Sequence, residues 1–295
     1  MKVSNLRDRR SSKLSVVIPA KNAEATLGKQ LDALLKQVDS LDAEIIVVDN
    51  GSTDRTPELV RSYARRTSLV RLVSAARGSG VAYARNVGVL EARSPCIAIC
   101  DADDLVSEGW VEAMGEALRT HELVTGPLEL ERLNPVSLAG SRGQGHDGPT
   151  SFLGIFPFAS GGNLGLQRAV WERLGGFDES FHGTEDIEFS LRAWLAGIRL
   201  TFVPEAIVHY RYRATAQDLW RQGRSWGASR PLIYRKLRAA GKPVPSRFAG
   251  WKSWAWLAVH LGALLSASRR LSWVWVAANR IGHLQGSLKH RTLFI

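Results

Sequence analysis

Between Leu14 and Cys100 the chain alternates short β-branched apolar runs with helix-spaced patterns, and this rhythm leaves it few folds to choose from. Leu14–Ala20 (LSVVIPA), residues 44–49 (EIIVVD), Val70–Ser74 and Cys96–Cys100 read as buried strands, because each run is apolar and too short for a helix. Between the first two, residues 24–38 place Ala25, Leu27, Leu31, Leu34, Leu35 and Val38 at helical spacing. Ser52, Thr53 and Asp54 offer caps for a helix through Leu59, Val60 and Tyr63, and residues 80–91 read as a third helix. The β-α-β-α-β-α-β order implies a parallel sheet with helices on both faces. Ligands of such sheets sit outside the carboxyl ends of the strands.

Those ends are rich in chemistry. The fourth strand runs directly into Asp101-Ala102-Asp103-Asp104. On an extended chain alternate residues point the same way, so Asp101 and Asp103 could share one hard cation such as Mn²⁺ or Mg²⁺. That cation would shield the phosphates of a leaving nucleoside diphosphate. Taken alone, such a cluster is more often a solvated turn or a helix cap. Asp49 ends the second strand in a run, Asp49-Asn50-Gly51-Ser52, that reads equally as a turn and as a ribose- or base-binding edge. Gly80 opens the third helix, where free amides favour phosphate, and Arg85 lies one turn in; in isolation Arg85 would be a surface salt bridge. Gly161-Gly162-Asn163 and Gly175-Gly176-Phe177-Asp178-Glu179 read as close backbone approaches or as plain turns. Glu185-Asp186 follows Thr184, an N-cap residue, so both acids fall in a helix's first turn. His209 ends a strand-like run over 200–210 and is either structural or a further metal ligand. Helical patterns cover 169–174 and 185–196, and residues 134–150, rich in Gly, Ser and Pro, read as a mobile loop over the site.

Taken in order, these segments resemble the family 2 glycosyltransferases. The likeness covers roughly residues 14–213, through VVIPAKN (16–22), VVDNGSTD (47–54), ARNVG (84–88), DADD (101–104), SGGN (160–163), GGFDE (175–179) and ED (185–186). The resemblance implies the GT-A fold, a Rossmann-like nucleotide-binding mixed sheet flanked by helices, and single-displacement transfer with inversion. It also implies roles: Pro19, Ala20 and Asn22 at the nucleotide, Asp49 at the base, and Asp101 at the ribose or metal. Gly80, Arg85, Ala102, Gly162 and Asn163 complete the nucleotide-sugar site. Asp103, Asp101 and His209 would ligate a divalent metal, Mn²⁺ or Mg²⁺. Asp186 would be the general base, with Glu185 as its substitute. Processive members of the family carry Gln-x-x-Arg-Trp; here Gln222-Gly-Arg224-Ser-Trp226 has the spacing wrong, so transfer of one sugar is expected.

The net charge of +11 is concentrated at one end. Residues 206–295 hold 16 Lys and Arg against one acid, Asp218, and seven of the ten tryptophans lie at or beyond Trp220. Tryptophan beside Lys and Arg is the chemistry of a bilayer interface. Nucleic acid would satisfy the charge but not the apolar runs, so no nucleic-acid partner is expected. Residues 253–268 lack a charged side chain, short of the roughly 20 that a span needs. Two short apolar helices lying in an anionic membrane surface are the expectation; the alternatives are a helical pair packed on the catalytic domain and a homodimer interface. The division expected is residues 1–213 as catalytic domain and 214–295 as a basic, Trp-rich helical extension. The polar N-terminal segment lacks the apolar core of a signal peptide. Cys96 and Cys100, roughly 13 Å apart on one strand, are too distant for a disulfide and fit a reducing compartment. The location expected is therefore cytoplasmic, on the inner face of the membrane. A nucleotide-sugar donor and a glycan or lipid-linked acceptor complete the expected partners. A nucleotidyltransferase is the enzymatic alternative, but its Gly-rich loop is replaced here by Pro19-Ala20-Lys21-Asn22. A non-catalytic membrane or nucleic-acid binding module using the basic end is the other.

Overall fold

The computed structural model describes residues 13–38, 41–135 and 148–294, so most of the expected loop at 134–150 lies outside the described residues. The opening half follows the expected alternation: β1 (Leu14–Ala20), α1 (Leu27–Val38), β2 (Ala43–Asp49), α2 (Thr56–Arg66), β3 (Val70–Ser74), α3 (Val81–Glu91) and β4 (Cys96–Cys100). Then come β5 (Leu105–Val106), α4 (Trp110–Leu118), β6 (Leu123–Thr125), β7 (Leu128–Glu129), β8 (Ser151–Phe152), β9 (Phe156–Pro157) and β10 (Asn163–Gln167). The chain continues through α5 (Arg168–Leu174), α6 (Glu185–Leu195), β11 (Leu200–Phe202) and β12 (Val208–His209). Three helices close it: α7 (Ala216–Ala239), α8 (Trp251–Val259) and α9 (Ala267–Lys289), with a 3₁₀ turn at Leu261–Leu265.

Seven strands form the main sheet in the order β11-β6-β10-β4-β1-β2-β3. All run parallel except β10, which is antiparallel to both β4 and β6. Side-chain alternation divides the core between the two faces. Val16, Ile18, Ile45 and Val47 meet α1, α2 and α4 on one side, while Val17, Ile46, Val48, Ile97 and Ile99 meet α3, α5 and α6 on the other. The strands read as unbroken apolar runs because both faces are covered. The expected strand over 200–210 is two pieces. Ala206 N–H turns back to the Val203 carbonyl at 3.1 Å around Pro204, so β11 joins the main sheet and β12 a small one, β5-β12-β7. The two cysteines are free thiols, as expected.

The C-terminal helices are bound into this body. Ile233 and Leu237 of α7 are fully buried in one cluster with Ile187 and Leu191 of α6 and the β8–β9 phenylalanines. Helices α7 and α9 approach backbone to backbone through Gly227 on one, Gly282 and Gly286 on the other, with Gly223 against the side chains of Trp275, Ala278 and Asn279. A Cβ at Gly286 would collide with the Ala228 carbonyl. Among the described residues no helix is long and apolar enough to cross a membrane.

Candidate active site

A cavity of about 440 Å³ opens at the carboxyl ends of β1 and β4. Pro19, Asn22, Arg85, Asp101, Ala102, Asp103, Gly162, Glu185 and Asp186 all border it, so nine of the sequence-designated residues converge on one space. The β1 end is fixed by the segment after β2. Asn22, at φ +52, accepts from Thr53 N–H at 2.8 Å, while its own N–H donates to Ser52 Oγ at 2.9 Å. Asp54 accepts from Thr56 N–H at 3.0 Å and from Glu24 N–H at 3.1 Å, tying the first residue of α2 to the loop before α1.

Arg85 is the centre of the arrangement. It is 3% exposed, not a surface side chain, and bonds Asp101 at 3.1 Å and, more closely, Glu185. Its guanidinium fills the place where a Gly161 side chain would be. The charges of Glu185, Asp101 and Asp186 more than offset the burial of Arg85, so its pKa is raised and the cation is permanent. The chain turns immediately after Cys100, so Asp101 and Asp103 stand on a turn rather than on an extended strand, and both border the cavity. Asp103 meets Arg213 at 2.6 Å. Burial lifts the Asp103 pKa, Arg213 opposes that, and Asp101 adds to it. Asp104 accepts from Arg211 N–H at 2.8 Å through one oxygen, and its other oxygen is buried without a partner. Burial, with Asp103 and Asp101 beside it, pushes Asp104 well above the usual carboxylate range. A Cβ on Gly162 would sit 3.1 Å from both Asp101 Oδ2 and Asp104 Oδ2, so only bare backbone fits against this cluster.

Asp186 faces the same cavity from the first turn of α6. It accepts from Gly161 N–H at 2.8 Å and from Ile187 N–H at 2.7 Å. Burial and the neighbouring Glu185 push its pKa up to about 7, against the pull of Arg85. Glu185 is buried, tied to Arg85 and to Gly183 N–H at 2.9 Å. Thr184 does occupy the N-cap position, but its hydroxyl makes no cap bond.

Five designated residues lie apart from this convergence. Asp49 closes its own turn by accepting from Ser52 N–H at 3.2 Å and does not border the main cavity. Ala20 and Gly80 line a smaller recess between β1 and α3, where Gly80 N–H donates to Asn50 Oδ1 at 2.9 Å. Asn163 is fully buried, accepting from Trp110 Nε1 at 2.9 Å and donating to the Pro127 and Ala206 carbonyls; it anchors the glycine turn from behind. His209 pairs with Glu129 at 2.6 Å through Nδ1 and meets Arg132 at 2.9 Å through Nε2, outside the cavity lining. Conversely, Arg213, Gln222 and Trp226 border the cavity without having been designated. The last two sit four apart on α7, the one-face spacing of a helix, which was the available signal. Trp226 packs over Gly183, where a Cβ would lie 2.8 Å from the indole.

Among the described residues no group of three or more His, Cys, Asp or Glu forms a metal cage. The donor set at the β4 end is two cavity-facing carboxylates, Asp101 and Asp103. Hard, incompletely caged oxygen sites suit an ion that is shared with substrate phosphates, and the residues present fit a cation of that type.

The mannosyltransferase PcManGT from Pyrobaculum calidifontis, solved with GDP-Man and Mn²⁺, is similar in structure, with a TM-score of 0.64 at 19% identity, over 94% of this chain and 87% of that one. Staphylococcus aureus TarS 1–349 in complex with UDP-GlcNAc matches with a TM-score of 0.56 at 17% identity, over 95% and 92%. The fold is thus GT-A, with the helical C-terminal region present. The sequence matches Glycosyl transferase family 2 over residues 15–175 and Glycosyl transferase family group 2 over residues 96–281. The chain belongs to glycosyl transferase family 2. The probable glycosyltransferase YdaM of Bacillus subtilis (strain 168) is 27% identical over 242 residues, 77% of this chain and 57% of YdaM. The validoxylamine A glucosyltransferase of Streptomyces hygroscopicus subsp. jinggangensis (strain 5008) is 30% identical over 233 residues, 65% of this chain and 54% of that enzyme. The chain therefore spans little more than half the length of these curated relatives.

Proposed function

We propose that this chain transfers one sugar from a nucleoside-diphosphate sugar to an acceptor hydroxyl, with inversion at the anomeric carbon. The observation that carries the reading is the position of Asp186: its carboxylate faces, across one cavity, the acidic strand end of Asp101 and Asp103. A base must stand opposite the leaving group in a single displacement, and a carboxylate lifted to about 7 takes a hydroxyl proton more readily than an ordinary one. As the acceptor oxygen bonds the anomeric carbon, its proton passes to Asp186 and the bond to the diphosphate breaks. Arg85 holds Asp101 and Glu185 in place through the step, and the Gly161 amide orients Asp186. A divalent cation, Mn²⁺ or Mg²⁺, would be held by Asp103 and Asp101 and would neutralise charge on the departing diphosphate.

The nucleotide enters beside Pro19 and Asn22, and residues 214–295 serve as a basic extension to a catalytic domain of 1–213. That extension lies on an anionic membrane, on the cytoplasmic face. Trp251, Val259, Leu261 and Leu265 are exposed by 61%, 80%, 57% and 89%; Lys252 stands among them in sequence and Arg269 and Arg270 follow, an apolar and cationic pairing suited to lipid headgroups.

Transfer and donor hydrolysis measured with Mn²⁺ across a panel of UDP, GDP and dTDP sugars test the reading. Turnover with at least one donor, lost in both Asp103→Ala and Asp186→Asn, is expected. Undiminished turnover in those two variants would remove the catalytic assignment.

A further inference from the structure

A second cavity of about 220 Å³ adjoins the first, and Ser160, Gly183, Asp186 and Trp226 border both. Asp186 therefore stands on the boundary, one side towards the donor space and the other towards this smaller chamber. The chamber's remaining wall combines residues of the catalytic body, among them Thr125, Leu128, Thr184 and Ile187, with Arg230 on α7 and Trp275 on α9.

Two polar groups in this wall lack what burial normally demands. Thr184 is 1% exposed and its hydroxyl has no hydrogen-bond partner. The Nε of Arg230 is likewise sequestered and unbonded. Among the described residues no carboxylate lies within ion-pair distance of Arg230. The charge that acts on it is another cation, Arg280, and burial and that repulsion together lower the Arg230 pKa to about 10. Behind them His283 lies 3.5 Å from Arg280, and burial with both arginines keeps it neutral. A half-buried guanidinium without a counter-charge is unfavourable by itself, and a buried unbonded hydroxyl adds to the cost. Both are relieved by one species: a compact oxyanion that accepts from the guanidinium fork and from the hydroxyl.

Resting on the glycosyl-transfer reading above, we propose that Arg230 and Thr184 bind a phosphate group carried by the acceptor, so that the substrate is a phosphorylated molecule whose hydroxyl reaches Asp186. The donor's diphosphate belongs to the other cavity, against Asp101 and Asp103. Two sources share this chemistry, a sugar carried on a lipid phosphate and a water-soluble sugar phosphate.

The test is a titration of the full chain, metal chelated, with inorganic phosphate, glucose 1-phosphate and a short-chain prenyl phosphate, followed by calorimetry and thermal melting. Binding of a phosphate probe is expected, weakened about tenfold in Arg230→Met and about threefold in Thr184→Val. Arg230→Met should also melt higher than the parent without ligand, because it removes an uncompensated cation. A tighter prenyl phosphate assigns the lipid source, and a tighter glucose 1-phosphate assigns the soluble one. The inference fails if no probe binds, if either variant binds phosphate as the parent does, or if Arg230→Met lowers the ligand-free melting temperature. Nucleotide binding with Mn²⁺, measured on the parent chain, reports separately on the donor reading, so failure of one does not pass for failure of the other.

Discussion

The two walls of the site treat charge in opposite ways. On the sheet side most acids are answered within the fold, Asp101 and Glu185 by Arg85, Asp103 by Arg213, and Asp186 by two backbone amides, while Asp104 keeps one buried oxygen unpaired. On the helical side Arg230 and Arg280 face one another with no carboxylate in reach among the described residues. The difference teaches which wall is completed by folding and which by a ligand. A carboxylate network that is satisfied beforehand can present a base and a cation site in fixed geometry. A cationic wall left unsatisfied has its stability to gain when an anion arrives.

The comparison can be broken hardest at Asp186. Asp186→Asn should cut kcat about 10³-fold while the affinity for nucleotide with Mn²⁺ stays within a few fold, as read by single-turnover transfer and calorimetry. A variant that keeps its rate would mean the sheet wall does not hold the reacting base. The same residue fixes the pH dependence. Its carboxyl is raised, to about 7, so it is protonated and inactive below that value; kcat should fall about tenfold per unit as pH drops below 7. The sign for stability is the reverse. A raised carboxyl favours the fold fully below its unfolded pKa and loses that contribution as pH climbs through 7. The melting temperature of Asp186→Asn should therefore gain on the parent between pH 5 and pH 8.

Next in size, Asp103→Ala should lower transfer about 10²-fold and weaken Mn²⁺ binding in the presence of nucleotide, followed by manganese electron paramagnetic resonance. Gly161→Ala sharpens the comparison from inside the fold. Its methyl group meets the buried Arg85 guanidinium, and a loss of about 1–3 kcal/mol in urea melts is expected. The smallest effect belongs to the helical surface: Lys252→Gln should weaken binding to anionic vesicles about fivefold in co-sedimentation.

The sheet was legible because its strands announce themselves locally. Val16 to Ile18 and Ile45 to Val48 are β-branched runs buried on both faces, a pattern that no surface element shares. The antiparallel β10 was less so: Asn163–Gln167 is five residues long, and its place between β4 and β6 is set by partners far away in sequence. In the site, residues at strand ends and glycine turns could be read, since turn chemistry and topology act over a few positions. Arg85 borders the cavity, but its burial was not legible, because that depends on Gly161 and Glu185 arriving from elsewhere in the chain. Arg213 and Trp226 were not assigned to the site for the same reason. Nothing adjacent to Arg213 predicts that it meets Asp103, 110 residues earlier in the numbering.

Trp226 rests its indole on the bare α-carbon of Gly183, three residues before Asp186. An activated sugar reacts with water as well as with its intended partner, and a roof that keeps the solvent out decides between the two outcomes. For the sugar transfer proposed above, the α7 indole would be that roof, keeping water from the anomeric carbon.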